Sequence, residues 1–193
     1  MEIEQLNSNA KLSEHFTLGE FTKSGSHPEV YNIPSHEAIE NMKRLCIWLE
    51  VLRERYNDKY VVVKGDSSTS CVLSVASDQR SSALGMTSGG GALGMTNGGE
   101  EPIRINSGYR SPQLNRAIGG ASNSNHLTGC AVDIRVENME QLIRYAAILL
   151  DISNESQQDF DELLIEKNRY GAVWLHFAVR AKDNRRKILF INA

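Results

Sequence analysis

Apolar and polar positions alternate along three short stretches of this chain. Over residues 130–136, Cys130, Val132, Ile134 and Val136 fall on one side of an extended strand, with Ala131, Asp133 and Arg135 on the other. Residues 173–179 repeat the pattern, with Val173, Leu175, Phe177 and Val179 opposed to Trp174, His176 and Ala178. Over 162–166, Glu162, Leu164 and Glu166 oppose Leu163 and Ile165. Each predicted strand therefore has one core-facing side and one side bearing charge or imidazole. Elsewhere the period is helical. Ile39, Met42, Leu45, Cys46, Leu49 and Leu52 form a stripe over 36–56 behind a candidate N-cap, Ser35, and Leu142, Ile143, Ala146 and Leu149 form one from Met139 to about Leu150. With further strands at 103–106 and 187–191, the pattern predicts an α+β fold, one mainly antiparallel sheet packed against helices. The Lys182-Asp-Asn-Arg turn predicts hairpin pairing of the late strands.

Residues 58–100 break this order. Ala83-Leu-Gly-Met-Thr-Ser-Gly-Gly nearly recurs as Ala92-Leu-Gly-Met-Thr-Asn-Gly-Gly, in a stretch rich in Ser and Gly whose one aromatic is Tyr60. Such a composition buries little core, so the segment reads as an insertion, either a lid over a cleft or a tolerated linker, with Tyr60-Val-Val-Val-Lys as a short strand at its start. The whole of 1–193 is then one domain carrying one low-complexity insertion.

Composition narrows the function classes. A formal net charge of −3 gives no support to a nucleic-acid partner, and no apolar run is long enough to span a bilayer. Met1–Asn7 lacks the basic start and apolar stretch of a secretory signal, so the expected site of synthesis and first residence is the cytoplasm. Three cysteines, Cys46, Cys71 and Cys130, without C-x-x-C spacing argue against a disulfide framework or a cysteine metal cluster. Cys46 and Cys130 fall on apolar faces and read as inert thiols, and a monomer is expected.

The chemistry lies on the polar sides of the strands. His126, Asp133 and His176 offer two imidazoles and a carboxylate, a three-ligand set for a Zn²⁺ whose fourth position is left to water. Singly, each has an ordinary structural role open to it, a hydrogen-bonded strand histidine or a solvated aspartate. Together they point to a hydrolase, and the Thr128-Gly129 turn lets the chain fold back so that His126 faces Asp133.

Ile105-Asn-Ser-Gly-Tyr-Arg110-Ser, Ser124-Asn-His126-Leu-Thr-Gly-Cys-Ala-Val-Asp133 and Val-Trp174-Leu-His176 occur in that order. They resemble the S-G-Y-R-S, S-x-H-x-x-G-x-A-x-D and W-x-H segments of the zinc D-Ala-D-Ala carboxypeptidase and murein endopeptidase family, whose fold is shared with the hedgehog signalling domain. Leu12-Ser-Glu-His-Phe-Thr-Leu-Gly-Glu-Phe-Thr and Tyr31-Asn-Ile-Pro resemble the start of phage and bacterial members. The resemblance implies zinc held by His126, Asp133 and His176, a peptidoglycan stem peptide as substrate, and an amide bond as the bond cut. It implies that Arg110 meets substrate or orients the site, and that Ser124 hydrogen-bonds substrate or a ligand. Trp174 reads as a wall of the cleft. A phage lysin or virion component would reach the wall without a signal.

The catalytic base departs from the family pattern. Several members carry an acid three residues before the last zinc histidine, where this chain has Val173. Phe160-Asp-Glu-Leu-Leu-Ile-Glu166 resembles the F-D-x-L-I-x-E run of a phage-rich branch, and Glu166 becomes the candidate base, with Glu162 and Asp161 behind it. Val173 also keeps a rival alive: a zinc-stabilised module that binds cell wall or protein without cutting.

Overall fold

The computed structural model describes residues 7–61 and 99–192. Its elements in chain order are α1 (Leu18–Thr22), α2 (His36–Tyr60), β1 (Ile105–Ser107), α3 (Pro112–Ala117), a 3-10 turn (Asn125–Thr128), β2 (Ala131–Arg135), α4 (Met139–Ser156), β3 (Glu162–Lys167), β4 (Val173–Ala178) and β5 (Lys187–Asn192). The strands form one sheet in the order β1-β2-β4-β3-β5, antiparallel except for the β3–β5 pair. The predicted α+β architecture is thus the observed one.

Helices cover one face of the sheet. Ser35 Oγ accepts from the Ala38 amide and starts α2, whose Met42, Leu45, Leu49 and Leu52 are fully buried. Asn138 caps α4 in the same way at Gln141, and Leu142, Tyr145 and Leu149 turn inward. They meet Val132, Ile134, Leu163, Leu175 and Phe177 from the strands, with Trp48 against Phe177 at a ring separation of 5.4 Å and Tyr56 edge-on to Tyr145 at 4.7 Å. Asp133, His176 and Glu166 point to the other face, which α2 and α4 leave open. Period-two alternation is the whole cause of that division.

Several expectations need correction. Helix α2 runs on to Tyr60, because Tyr56 and Asn57 are still buried, so Tyr60, expected to open a short strand, is instead the last residue of a helix; residues 62–98, with the rest of that strand and most of the 58–100 insertion, lie outside the described residues. Helix α4 extends to Ser156, and its apolar stripe runs through Tyr145 and Ile152; Ile143 is exposed. The late strands β3 and β4 pair as a hairpin across residues 168–172, but the hairpin expected at the Lys182 turn does not form. Strand β4 already has β2 on one side and β3 on the other, so β5 has no free edge of β4 to join. It pairs instead with β3 in parallel, started by Arg186 N donating to Phe160 O (2.8 Å) and Lys187 N to Asp161 O (3.0 Å). Helices α1 and α3, too short to show a period, were not predicted.

Candidate metal centre

Register builds the centre. Asp133 on β2 lies directly opposite His176 on β4, and Leu164 of β3 lies on the other side of His176, so Glu162 and Glu166 flank the histidine diagonally. His126 comes from the 3-10 turn just before β2. Ser124 Oγ accepts from the His126 amide and caps that turn, and Gly129 ends it at φ 72°. A Cβ at Gly129 would lie 2.5 Å from Ala38 O of α2, so the glycine answers both a left-handed backbone and a close helix. Asn41 Nδ2 of α2 donates to Thr128 O at 2.8 Å and fixes the same turn.

The loop carrying Arg110 is locked to this turn. Arg110 N donates to His126 O (3.0 Å), while Asn32 accepts from Ser111 N and donates to Tyr109 O, which gives the Tyr31-Asn-Ile-Pro segment a structural purpose. His126 Nδ1 lies 2.6 Å from Gly108 O. A carbonyl can only accept, so Nδ1 carries the proton and Nε2 presents its lone pair. Gly108 admits no side chain, since a Cβ would fall 2.6 Å from Phe21 O.

His126 Nε2 and His176 Nδ1 converge on Asp133 Oδ1, at 3.3 Å and 2.9 Å. All three residues are buried, and one ligand atom from each lies within 4.8 Å of the others. Arg110 Nη2 donates to the second Asp133 oxygen at 2.6 Å and its Nε to Ser107 Oγ at 2.9 Å. Burial opposes ionisation of Asp133, yet His126 and His176 beside it hold its carboxyl below the usual carboxylate range. Burial likewise disfavours a charged His176, but Asp133 and Glu162 overcome it and raise the ring to about 9. The surroundings of His176 favour positive charge, and His176 Nε2, buried without a hydrogen-bond partner, is 3.6 Å from Glu162 Oε2. Two nitrogens, one carboxylate oxygen and a field favouring a cation fit a metal ion with three protein ligands. Cys130 is outside this cluster: its thiol is buried, raised in pKa by that burial, and nearest to Thr128 O. Cys46 is buried too, its thiol pushed up to about 12 by desolvation.

The cluster floors an open cleft of about 580 Å³ lined also by Arg110, Ser124, Trp174, Glu162 and Glu166. Every site residue expected from the sequence except Asp161, the third candidate base, therefore borders one cavity. Ser124 is in addition tied to the turn it caps, and Trp174 Nε1 has no hydrogen-bond partner. Burial raises Glu166 above its ordinary value, and the Asp133 charge acts in the same direction. Glu162 differs: His176 first, then Asn125 and Arg185, lower it to about 2 despite burial. Val173 starts β4 on the side away from His176 and does not line the cleft, so an acid there would be misplaced in this chain.

Sequence reasoning missed the cluster at the far end of the cleft. Asp161, fully buried, takes Arg185 Nε (2.8 Å) and Nη2 (2.7 Å), Arg180 Nε (3.0 Å) and Asn125 Nδ2 (2.7 Å), so it is a tether and not a free acid. The one signal was a pair of arginines, Arg180 and Arg185, bracketing the expected turn.

No helix among the described residues is long and apolar enough to cross a membrane. No curated protein matches the chain. Residues 94–159, about a third of the chain, match the family model described as Peptidase M15. That segment contains Arg110, His126 and Asp133, and a metallopeptidase is what the family implies. Together with the α+β fold and the His126–Asp133–His176 cluster, the match supports membership of the zinc D-Ala-D-Ala carboxypeptidase-like peptidase M15 family.

Proposed function

We propose that this protein is a zinc peptidase that hydrolyses an amide bond in peptidoglycan stem peptides. The observation that carries the reading is the convergence of His126 Nε2, Asp133 Oδ1 and His176 Nδ1 on one point of an open cleft beside an acid of raised pKa. These three side chains would hold the zinc, which supplies Lewis acidity toward a carbonyl and a water molecule. Gly108 O keeps His126 in the tautomer a metal needs, and Arg110 turns one oxygen of Asp133 inward by holding the other. Glu166 has no ion pair among the described residues, and its raised pKa suits an acid that takes a proton from the attacking water and returns it to the leaving amine. Trp174 and Arg110 line the cleft where the peptide would lie.

Zinc-loaded protein incubated with isolated murein sacculi tests this, with mass spectrometry of the soluble fragments and of the muropeptides left behind. Shortened or separated stem peptides are expected, and their masses identify the bond. Zinc-replete protein that sediments with sacculi and changes no muropeptide would replace the peptidase with a wall-binding module.

A further inference from the structure

The end of the cleft formed by β3 and β5 has more cations than carboxylates. Asp161 and Glu162 supply two negative charges, and Arg180, Arg185 and Lys187 supply three positive ones. Arg185 is matched by both acids, with Nη2 at 2.7 Å from Asp161 and 2.8 Å from Glu162. Arg180 spends only Nε, on Asp161 Oδ2 (3.0 Å) and Asn125 Oδ1 (2.9 Å). Its two terminal nitrogens have no partner among the described residues. Lys187 Nζ has only a long contact, 3.4 Å, with Glu162 Oε1. Both side chains stay partly exposed, and both line the cleft that holds the metal cluster. At the opposite end Arg110 is already matched by Asp133, so the unmatched positive charge belongs to this end alone.

Distance to the reacting position is short. Glu162 touches His176 through Oε2 and Lys187 through Oε1, so one side chain separates the excess charge from a metal ligand. We propose that Arg180 and Lys187 form a carboxylate-binding subsite, selecting peptides that carry a free carboxylate on a residue flanking the bond to be cut. The peptide nature of the ligand rests on the peptidase reading; the charge excess does not. A fork of two free guanidinium nitrogens beside an ammonium suits a planar carboxylate, and a neutral amide offers it no charge to pair.

The test uses zinc-loaded full-length protein and two peptides: a stem pentapeptide with free carboxylates, and the same peptide with every carboxylate converted to amide. KM is measured for a peptide that is hydrolysed, and Kd by calorimetry for one that is not. Wild type should favour the acid form about tenfold, the effect of roughly one charge-assisted hydrogen bond at a solvated site. Arg180→Gln with Lys187→Met should bring that ratio close to one while the amide peptide binds as before and zinc content is unchanged. Because Arg180 also steadies Asn125, Lys187→Met is measured alone and should lower the ratio about threefold. No preference in wild type overturns the proposal, as does a preference that survives Lys187→Met, or one that Arg110→Gln removes and Lys187→Met does not. A preference without hydrolysis of either peptide would sink the peptidase reading and leave the subsite standing.

Discussion

The two ends of β3 face the same cleft and hold their glutamates in opposite conditions. Glu162 stands beside His176, Asn125 and Arg185, which draw its carboxyl down to about 2 despite burial, with Lys187 also within reach. Glu166, four residues on and paired across from Trp174, meets no cation in an ion pair among the described residues, and burial raises it. A carboxylate bound by cations is a good tether and a poor base; one left alone in a half-buried cleft is the reverse. Sequence places Glu162 behind Glu166 on a motif alone, and the neighbours give the two acids physically different surroundings.

The strongest way to break this comparison is to remove what both ends serve. Asp133→Ala or His126→Ala should take zinc from about one per chain to none and abolish hydrolysis, because the remaining ligands hold metal too weakly. Elemental analysis with full zinc in either variant would contradict the ligand set. A sharper contrast lies in Glu162→Gln, which should keep zinc and lose no more than about tenfold in rate if Glu162 only positions its neighbours. A loss of a thousandfold or more would transfer the base to that end of the strand.

Stability should separate the ends as well. Burial opposes ionisation of Asp161, but Arg185, Asn125 and Arg180 bring it below its ordinary value of 3.8. Its contribution is therefore complete above that value and is lost as pH falls through the lower folded one. Asp161→Asn should cost about 1–3 kcal/mol at neutral pH, because it removes charge-assisted hydrogen bonds while the two arginines, partly exposed, keep access to solvent. The gap should narrow in acid, where wild type also protonates; urea unfolding at pH 7 and pH 3 would reveal an unchanged gap if the pairing were unimportant. The smallest effect is expected at Ser124→Ala, about 1 kcal/mol for a lost cap on the turn bearing His126, read from thermal unfolding.

The parts of the fold that the sequence made legible are those governed by a local period. Alternation placed Asp133, His176, Glu162 and Glu166 on one face, and register then had little freedom to scatter them. What escaped depends on long-range geometry. Strand β5 was assigned to β4 because the intervening turn is short, yet both edges of β4 are occupied and the chain crosses to β3. The roles of Asn32 and Gly108 are likewise invisible locally, since their partners at Tyr109 and Phe21 are distant in sequence. The Arg180–Arg185–Asp161 cluster forms only after that crossing, which is why Asp161 read as a spare base. Val173 looked like a missing acid only until β4 turned it away from the cleft.

The central claim is that a metal held by His126, Asp133 and His176 works with a proton carrier at Glu166. Its most direct test is the rate of muropeptide hydrolysis by wild type and Glu166→Gln, with zinc content measured on the same samples. Equal zinc and a rate lower by roughly 10²–10⁴-fold in the variant is the predicted result. Equal zinc with an equal rate would contradict it.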